Sequence, residues 1–271
     1  SKMTTRYRHN AIVSMTAKAI VGIVAFCAIS SACQAQRQAG SDRFSNPVIV
    51  SSRSEPQATG VQDDFKIALQ IVLDRMVASY EKGEKNPLRI AVLDKSLEPV
   101  KQFLNASSPI ASIGPDQHNV ISVAYHSEAR FDGKPTAACM VEYDSSRRAD
   151  LLSGYERFFL NKDDVLYYIA AHEFGHCMSD HQAMLGKGKN LDAKNHELIA
   201  DRVAVAFFMV NGKEQSAAKI VEFNNLMQKD SIHYHKDEIK AFYDVLKERS
   251  GEFSAKKNIN SMLDVYKLAT D

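Results

Sequence analysis

Charge of one sign is not in excess in this sequence. The chain has 34 lysine and arginine residues against 33 aspartate and glutamate residues, so its formal net charge at pH 7 is +1. Proteins that bind nucleic acids usually carry a clustered basic surface, because contacts with phosphates supply much of their affinity. The composition therefore gives no electrostatic argument for a nucleic-acid partner, and we expect none.

Long hydrophobic runs are also missing. The apolar run over residues 19–29 has 11 residues, whereas a membrane-spanning helix needs about 20. Lys18 precedes this run and small residues follow it, which is the arrangement of an export signal. We predict that residues 1–35 are this signal and that the protein is exported in a bacterium, to the periplasm or to an envelope-attached site. An uncleaved anchor or a buried helix is the alternative.

Cysteine is scarce, with four in the chain. Residues 30–33, Ser-Ser-Ala-Cys, resemble a bacterial lipobox, so Cys33 could be the lipidated first residue of the mature protein and a membrane tether. Ordinary signal cleavage after residue 32 or 35 would leave the protein without this lipid. After removal of the signal, Cys139 and Cys177 are the only cysteines certain to remain in the domain. They either form a disulfide in an oxidising compartment or stay as two buried thiols.

Two further segments differ in composition. Residues 36–60 are rich in serine, glutamine, alanine and arginine, and we predict a flexible tether. Residues 61–271 have enough apolar content for one core and no internal repeat, so we predict a single domain. The predicted fold is α+β, a small mixed sheet with a helical C-terminal half. Its predicted helices lie at 62–82 and from 161 onward, the last at 256–268, and its strands lie at 88–93, 120–125 and 138–143.

The most informative motif is His172-Glu173-Phe174-Gly175-His176. Two histidines four residues apart project from the same side of a helix, where both can bind one metal ion. Glu173 lies beside them and could take a proton from a metal-activated water, whose pKa falls to about 7, and pass it to a leaving amine. The motif predicts a catalytic zinc site. Buried core histidines are the structural alternative.

A catalytic zinc site needs a third protein ligand and an open position for water. Glu197 is the best candidate, because it opens a second helical pattern that follows a glycine-containing turn and ends near residue 212. Asp201 comes one helical turn later and could accept the second ring N–H of a ligating histidine. His181 and His196 are rival ligands with less suitable spacing.

Together these two motifs resemble those of the gluzincin metallopeptidases, in which His-Glu-x-x-His is followed by Glu-x-x-Ala-Asp. Residues 172–181 and 197–201 are similar in particular to the HtpX-like and prenyl-protease-like group. Those enzymes usually separate the motifs more widely, and the short spacing here is nearer to that of thermolysin-like enzymes. The resemblance covers residues 160–212. It implies a zincin-like domain, one zinc ion per chain held by His172, His176 and Glu197, and protein or peptide substrates.

The resemblance also implies a sheet that packs on the active-site helix and pairs its edge strand with extended substrate backbone. Gluzincins generally use one more donor to stabilise the oxyanion that forms at the peptide carbonyl. His233, Tyr234 and His235 are the candidates, since they lie between two helical patterns beyond the second ligand helix. A helix-capping loop with exposed imidazoles is the alternative for this segment.

These features predict a zinc endopeptidase that acts in the cell envelope, with Glu173 as general base and Asp201 orienting a ligand. The alternative is a catalytically silent zincin-like binding or regulatory module of a secretion or conjugation apparatus. The presence of Glu173 favours the enzyme, because a purely structural zinc site needs no base.

Overall fold

The computed structural model describes residues 4–8, 64–80, 88–94, 121–131, 134–156, 158–159, 162–255, 259 and 261–271. These residues form a mixed α+β fold, which confirms the predicted fold class. The strands are β1 (Thr4–Arg8), β2 (Leu88–Asp94), β3 (Ile121–Phe131) and β4 (Lys134–Tyr143). The helices are α1 (Asp64–Tyr80), α2 (Arg148–Glu156), α3 (Lys162–Met184), α4 (Ala193–Val210), α5 (Glu214–Asn225), α6 (Lys236–Glu248), α7 (Ser250–Ala255) and α8 (Met262–Thr270).

The four strands form one mixed sheet in the order β1-β3-β4-β2. β3 and β4 are an antiparallel hairpin whose register shifts between His126 and Ala129. β2 runs parallel to β4, and β1 pairs antiparallel with β3 along the opposite edge. The observed strands overlap the three predicted runs, and the sheet is mixed as predicted.

α1 joins the sheet to the helical half of the fold. Its apolar residues recur at helical spacing, and the face that they form packs against β2, α3 and α8. The buried side chains of this face are Phe65, Leu69, Val72, Leu73, Met76 and Tyr80. The same spacing predicted a helix over residues 62–82, and the observed helix lies within those bounds.

α3 and α4 form the centre of the helical half. His172 of α3 contacts Asp201 of α4, whereas Asp180, two turns further along α3, contacts His196 near the start of α4. The contacts therefore run in opposite directions along the two helices, and the pair is antiparallel. Both helices are buried along most of their length.

Gly175 allows these two helices to approach closely. A Cβ atom at this position would lie 2.9 Å from the Ala200 Cα, a distance that real Cβ atoms essentially never show. Glycine in a helix interior is less favourable than alanine by about 1 kcal/mol. Here its missing side chain is what brings the backbones, and hence the flanking polar side chains, together.

A disulfide connects the sheet to α3. Cys139 of β4 and Cys177 of α3 are paired, with their Cα atoms 5.8 Å apart. Of the two alternatives that the sequence left open for these residues, the structure therefore contains the bridge. Since Cys177 follows His176 directly, the bridge fixes α3 beside one member of the candidate site.

The start of one helix differs from the prediction, and one further helix was not predicted. α8 begins at Met262, where the Ser261 hydroxyl accepts from the Asp264 N–H, rather than at the predicted residue 256. α2 was not predicted. It buries only Leu151 and Tyr155 along its length, too few apolar residues for a recognisable period.

The predicted export-signal run at 19–29, Cys33 and the predicted tether at 36–60 lie outside the described residues. Within the described part of the chain, no helix combines the length and the apolar character that a membrane span requires.

Candidate metal centre

α3 directs two histidines into the interior of the protein. Every residue from Tyr168 to Ser179 is buried, so His172 and His176 face packed side chains rather than solvent. The helix start is fixed by Asp164, whose carboxylate accepts a hydrogen bond from Lys213 Nζ at 2.7 Å. A carboxylate in the first turn is also favourable near the positive end of a helix.

α4 supplies the third member of the site from its first two turns. The Asp192 side chain accepts a hydrogen bond from the Asn195 backbone N–H at 2.8 Å and so caps the helix immediately before His196 and Glu197. Glu197 is buried, with 1% of its surface exposed. At its other end α4 stops at Asn211, followed by Gly212 with a φ of 73°, as its sequence predicted.

His172, His176 and Glu197 converge at one point. The two Nε2 atoms are 3.2 Å apart. Glu197 Oε2 lies 3.3 Å from Nε2 of His172 and 3.5 Å from Nε2 of His176. Among the described residues, these three side chains form a buried group that could hold a metal ion, with one ligand atom from each lying within 4.8 Å of the others.

Asp201 orients His172 from the opposite side of the ring. Its Oδ1 lies 2.8 Å from His172 Nδ1, so this nitrogen donates and Nε2 is directed at the cluster. The same carboxylate accepts from the Tyr168 hydroxyl at 3.2 Å and from Asn224 Nδ2 at 2.9 Å. The sequence predicted the contact between Asp201 and a ligating histidine, and the structure contains it.

The imidazoles of His172 and His176 differ in pKa. Burial alone would lower the pKa of His172, but its hydrogen bonds with Asp201 and Glu197 outweigh burial and raise the pKa well above the usual value. Burial lowers the pKa of His176 to about 4, against a weaker opposing effect of Glu197. Burial would raise the pKa of Asp201, but its contact with His172 holds it below the usual value. These surroundings therefore favour a charged imidazolium at His172 and a neutral imidazole at His176.

His196 lies behind His176 and outside the group of three. Its Nδ1 is 2.7 Å from His176 Nδ1, and its Nε2 is 3.2 Å from Asp180 Oδ1. The planes of the two rings differ by 14°, which allows a hydrogen bond in the plane of both. His196 was a rival metal ligand by sequence, and the structure instead places it next to His176 and outside the group that could hold a metal ion.

His181, the other rival, belongs to a separate buried network. The Tyr80 hydroxyl accepts a hydrogen bond from Gln182 Nε2 at 2.7 Å and lies 2.7 Å from His181 Nδ1, to which it can donate. This network joins the end of α3 to α1. His181 is not part of the group of three.

The segment between α5 and α6 brings two more histidines to the site. His233 Nδ1 lies 3.0 Å from Glu197 Oε2. His235 is fully buried, and the negative charges of Asp201 and Glu197 act on it, although burial is the larger effect and lowers its pKa. Tyr234 between them is partly exposed. The alternative for this segment, a helix-capping loop with exposed imidazoles, is therefore not what it forms, since both imidazoles are buried.

Glu173 is buried beside the cluster, with 2% of its surface exposed. Tyr155 of α2 lies near it. Burial raises the pKa of the Tyr155 hydroxyl, and the charges of Glu173, Asp201 and Glu197 raise it further. A neutral phenol is thus held close to three carboxylates of the site. Because α2 was not predicted, nothing in the sequence pattern drew attention to this residue.

Other residues of the site were also missed from sequence. Asp180 stands four residues after His176, so the helical period alone could have placed it on the same side of α3. Asn224 comes from α5 and has no positional relationship to either motif, so only the fold reveals its contact with Asp201.

Comparisons of the chain with models of protein families, with curated protein sequences and with solved structures find no match.

Proposed function

We propose that this protein is a zinc-dependent endopeptidase of the gluzincin type. The observation that carries the proposal is the convergence of His172 Nε2, His176 Nε2 and Glu197 Oε2, with separations of 3.2, 3.3 and 3.5 Å. Ligands of one tetrahedral zinc ion at about 2.0–2.1 Å lie about 3.3–3.4 Å from one another. The residues present therefore fit a zinc ion, held by two imidazoles and one carboxylate.

The number of ligands supports catalysis over a structural role. Structural zinc sites are usually closed by four protein ligands, whereas catalytic sites use three and leave a position for water or substrate. The group within the described residues has three members, and His233 is not one of them. When bound there, zinc would lower the pKa of a water molecule to about 7 and polarise the substrate carbonyl.

Glu173 is the proposed general base. It follows His172 directly and is buried in the same region, where its carboxylate would take a proton from the attacking water and deliver it to the amine of the departing peptide. Asp201 keeps the Nε2 of His172 directed at the ligand position by accepting from Nδ1. Each of these roles uses a side chain that faces the cluster from a different position on α3 or α4.

The donor that stabilises the oxyanion comes from the segment between α5 and α6. His233 is held next to Glu197. Neither ring nitrogen of His235 has a hydrogen-bond partner among the described residues. Removal of the true donor should lower kcat by about 100- to 1,000-fold and leave zinc affinity unchanged. Alanine variants at the two positions, compared for kcat and for zinc affinity, identify it.

An extended peptide is the proposed substrate. β3 packs against α3, and its outer edge pairs with a five-residue extended segment, β1, in antiparallel register. That pairing supports the idea that this edge accepts substrate backbone, which is how a sheet edge binds peptides. If the predicted export signal is removed, β1 is lost with it and the edge becomes available in the envelope.

The decisive test compares the full chain with Glu173→Gln, which keeps the shape of the side chain and removes its basicity. Glu222→Gln, an exposed glutamate of α5, is the matched control. We expect about one zinc per chain in all three proteins, by mass spectrometry of bound metal. Cleavage of casein or of a peptide library should fall about 100- to 10,000-fold in Glu173→Gln alone.

Two results would reject the proposal. Equal cleavage by the wild type and Glu173→Gln would exclude Glu173 as the base. Zinc binding by the wild type without cleavage of any peptide in a broad library would favour the silent binding or regulatory module instead.

A further inference from the structure

We propose that His196 and Asp180 are positioning residues that select the metal-binding tautomer of His176. The proposal rests on the proposed metal site but not on peptide cleavage. Its basis is a continuous chain of contacts, from Asp180 Oδ1 to His196 Nε2 at 3.2 Å and from His196 Nδ1 to His176 Nδ1 at 2.7 Å. The chain ends at His176 Nε2, which faces the other two ligands.

Only one placement of the protons on His176 and His196 allows His176 to bind a metal ion through Nε2. A histidine that binds through Nε2 keeps its proton on Nδ1. His176 Nδ1 must then donate, so His196 Nδ1 must accept, and a neutral His196 carries its proton on Nε2. That proton is directed at Asp180, which accepts it. Every contact in the chain then has one donor and one acceptor.

The opposite arrangement excludes the metal. If His196 carried its proton on Nδ1, His176 Nδ1 would have to accept, and a neutral His176 would hold its proton on Nε2, the atom that faces the cluster. His196 Nε2 would then oppose the Asp180 carboxylate with a lone pair, and two acceptors would face each other at 3.2 Å. Asp180 therefore favours the first arrangement across an intervening ring.

The geometry of His196 suits this role more than that of a packing residue. The ring is buried, with 1% of its surface exposed, and both of its nitrogens have contacts. The ring centroids are 5.0 Å apart, the planes differ by 14° and the two Nδ1 atoms are 2.7 Å apart, so both nitrogens lie on the line between the ring centres. The donor N–H therefore points along the lone pair of the acceptor. These side-chain contacts run from His176 of α3 to His196 of α4 and from there back to Asp180 of α3.

Three variants of the full chain separate positioning from packing. His196→Asn keeps an acceptor oxygen at the place of Nδ1. His196→Gln moves its amide towards the place of Nε2 and leaves His176 without an acceptor, and His196→Phe fills the space without any polar atom. Zinc affinity, measured by competition with a chelator, should fall about 10- to 100-fold in the Gln and Phe variants. The Asn variant should stay within about threefold of the wild type.

A direct observation of the protons complements the variants. In zinc-loaded wild-type protein labelled with ¹⁵N-histidine, long-range ¹H–¹⁵N spectra should show His176 protonated on Nδ1 and His196 protonated on Nε2. This measurement does not depend on whether any variant folds. Asp180→Ala should shift the His196 signals and lower zinc affinity, whereas Asp163→Ala, at an exposed residue of the same helix, should do neither.

Several outcomes would overturn the inference. These are a His196 proton on Nδ1 in the zinc-loaded protein, wild-type affinity in the Phe variant, equal losses in the Asn and Phe variants, or no zinc binding by the wild type. A wild type that binds zinc, shows the expected tautomers and cleaves no peptide would reject the proposed enzyme and leave this inference standing.

Discussion

The two histidines of the cluster lie one helical turn apart on α3 in opposite electrostatic surroundings. His172 has a carboxylate on its Nδ1, that of Asp201, whereas His176 has another imidazole there, that of His196. The pKa of His172 is raised well above its usual value, mainly by Asp201 and Glu197 acting against burial, and burial lowers that of His176 to about 4. The surroundings of His172 therefore favour the charged imidazolium, and those of His176 favour the neutral imidazole.

This difference shows how a site with three buried carboxylates and several imidazoles avoids a larger excess of negative charge. A carboxylate directly on His176 Nδ1 would add a further negative charge to those of Glu173, Glu197 and Asp201 within a buried region, where unbalanced charge is costly. His196 lies between Asp180 and His176, so the Asp180 carboxylate acts on His176 from a greater distance. Asp180 is also less buried, with 11% of its side chain exposed. Both histidines thus direct their Nε2 atoms at the cluster, although the groups that contact their Nδ1 atoms differ in charge.

The disulfide offers the largest change, because it anchors only the His176 side of α3. It closes a loop with a sequence separation of 38 residues, for which the loss of chain entropy in the unfolded state corresponds to about 4 kcal/mol of stability. The double variant Cys139→Ala with Cys177→Ala should lose about that much free energy of unfolding in a denaturant titration. A reductant should destabilise the wild type similarly and leave the double variant unaffected. Equal stability of the oxidised wild type and the double variant would contradict this.

A substitution of Gly175 tests whether the protein depends on the close approach of α3 and α4. Gly175→Ala would place a Cβ 2.9 Å from the Ala200 Cα, and such overpacking typically costs about 1–3 kcal/mol. Gly251→Ala in α7 is the control, since a Cβ there meets nothing within 4 Å, and it should be neutral or stabilising by up to about 1 kcal/mol. Thermal unfolding of the two variants measures the contrast. A Gly175→Ala protein as stable as the wild type would mean that the helices are not in such close contact.

Much of this arrangement could be predicted from local patterns. The four-residue spacing of His172 and His176 places them on one side of a helix whatever surrounds it, and the position of Asp201 one turn after Glu197 follows from the same period. The apolar stripe of α1 and the β-rich runs that became β2 and β4 were similarly visible in the sequence.

Contacts between distant elements could not be predicted. Which of Glu197 and His196 reaches the cluster depends on how α4 is rotated against α3. That rotation depends on the close approach of Gly175 to Ala200, a contact between the two motifs that the spacing within either one does not reveal. The burial of His235 likewise depends on how the segment after α5 folds back on α4. Tyr155 was missed because a helix that buries two side chains has no detectable period.

A substitution of Asp201 tests most directly whether His172 and His176 depend on different neighbouring groups. Asp201→Asn keeps the size of the side chain and removes the charge that supports His172, so zinc affinity should fall about 10- to 100-fold. Asp163→Asn, at an exposed residue of the first turn of α3, is the control and should retain wild-type affinity. Competition with a chelator measures both. If Asp201→Asn bound zinc as tightly as the wild type, Asp201 would not be the group that supports His172.

The smallest effect, and the most specific, is the number of protons released when zinc binds. In the metal-free protein the raised pKa of His172 stabilises the fold below the unfolded value of about 6.5, and this contribution is lost as pH rises through the folded value. Zinc requires the neutral ring, so binding below that folded pKa should release about one proton from His172, and affinity should rise about tenfold per pH unit. His176 is already neutral above its pKa of about 4 and should release none.

Calorimetric titrations in buffers of different ionisation enthalpy count these protons. Asp201→Asn should release fewer at the same pH, because the carboxylate that raises the pKa of His172 is gone. The count is made near pH 6, below the pKa of about 7 of a zinc-bound water. Release of about two protons there would show that both histidines are charged before zinc binds, and the two sides of the site would then be alike. Release of none would show that neither ring is charged.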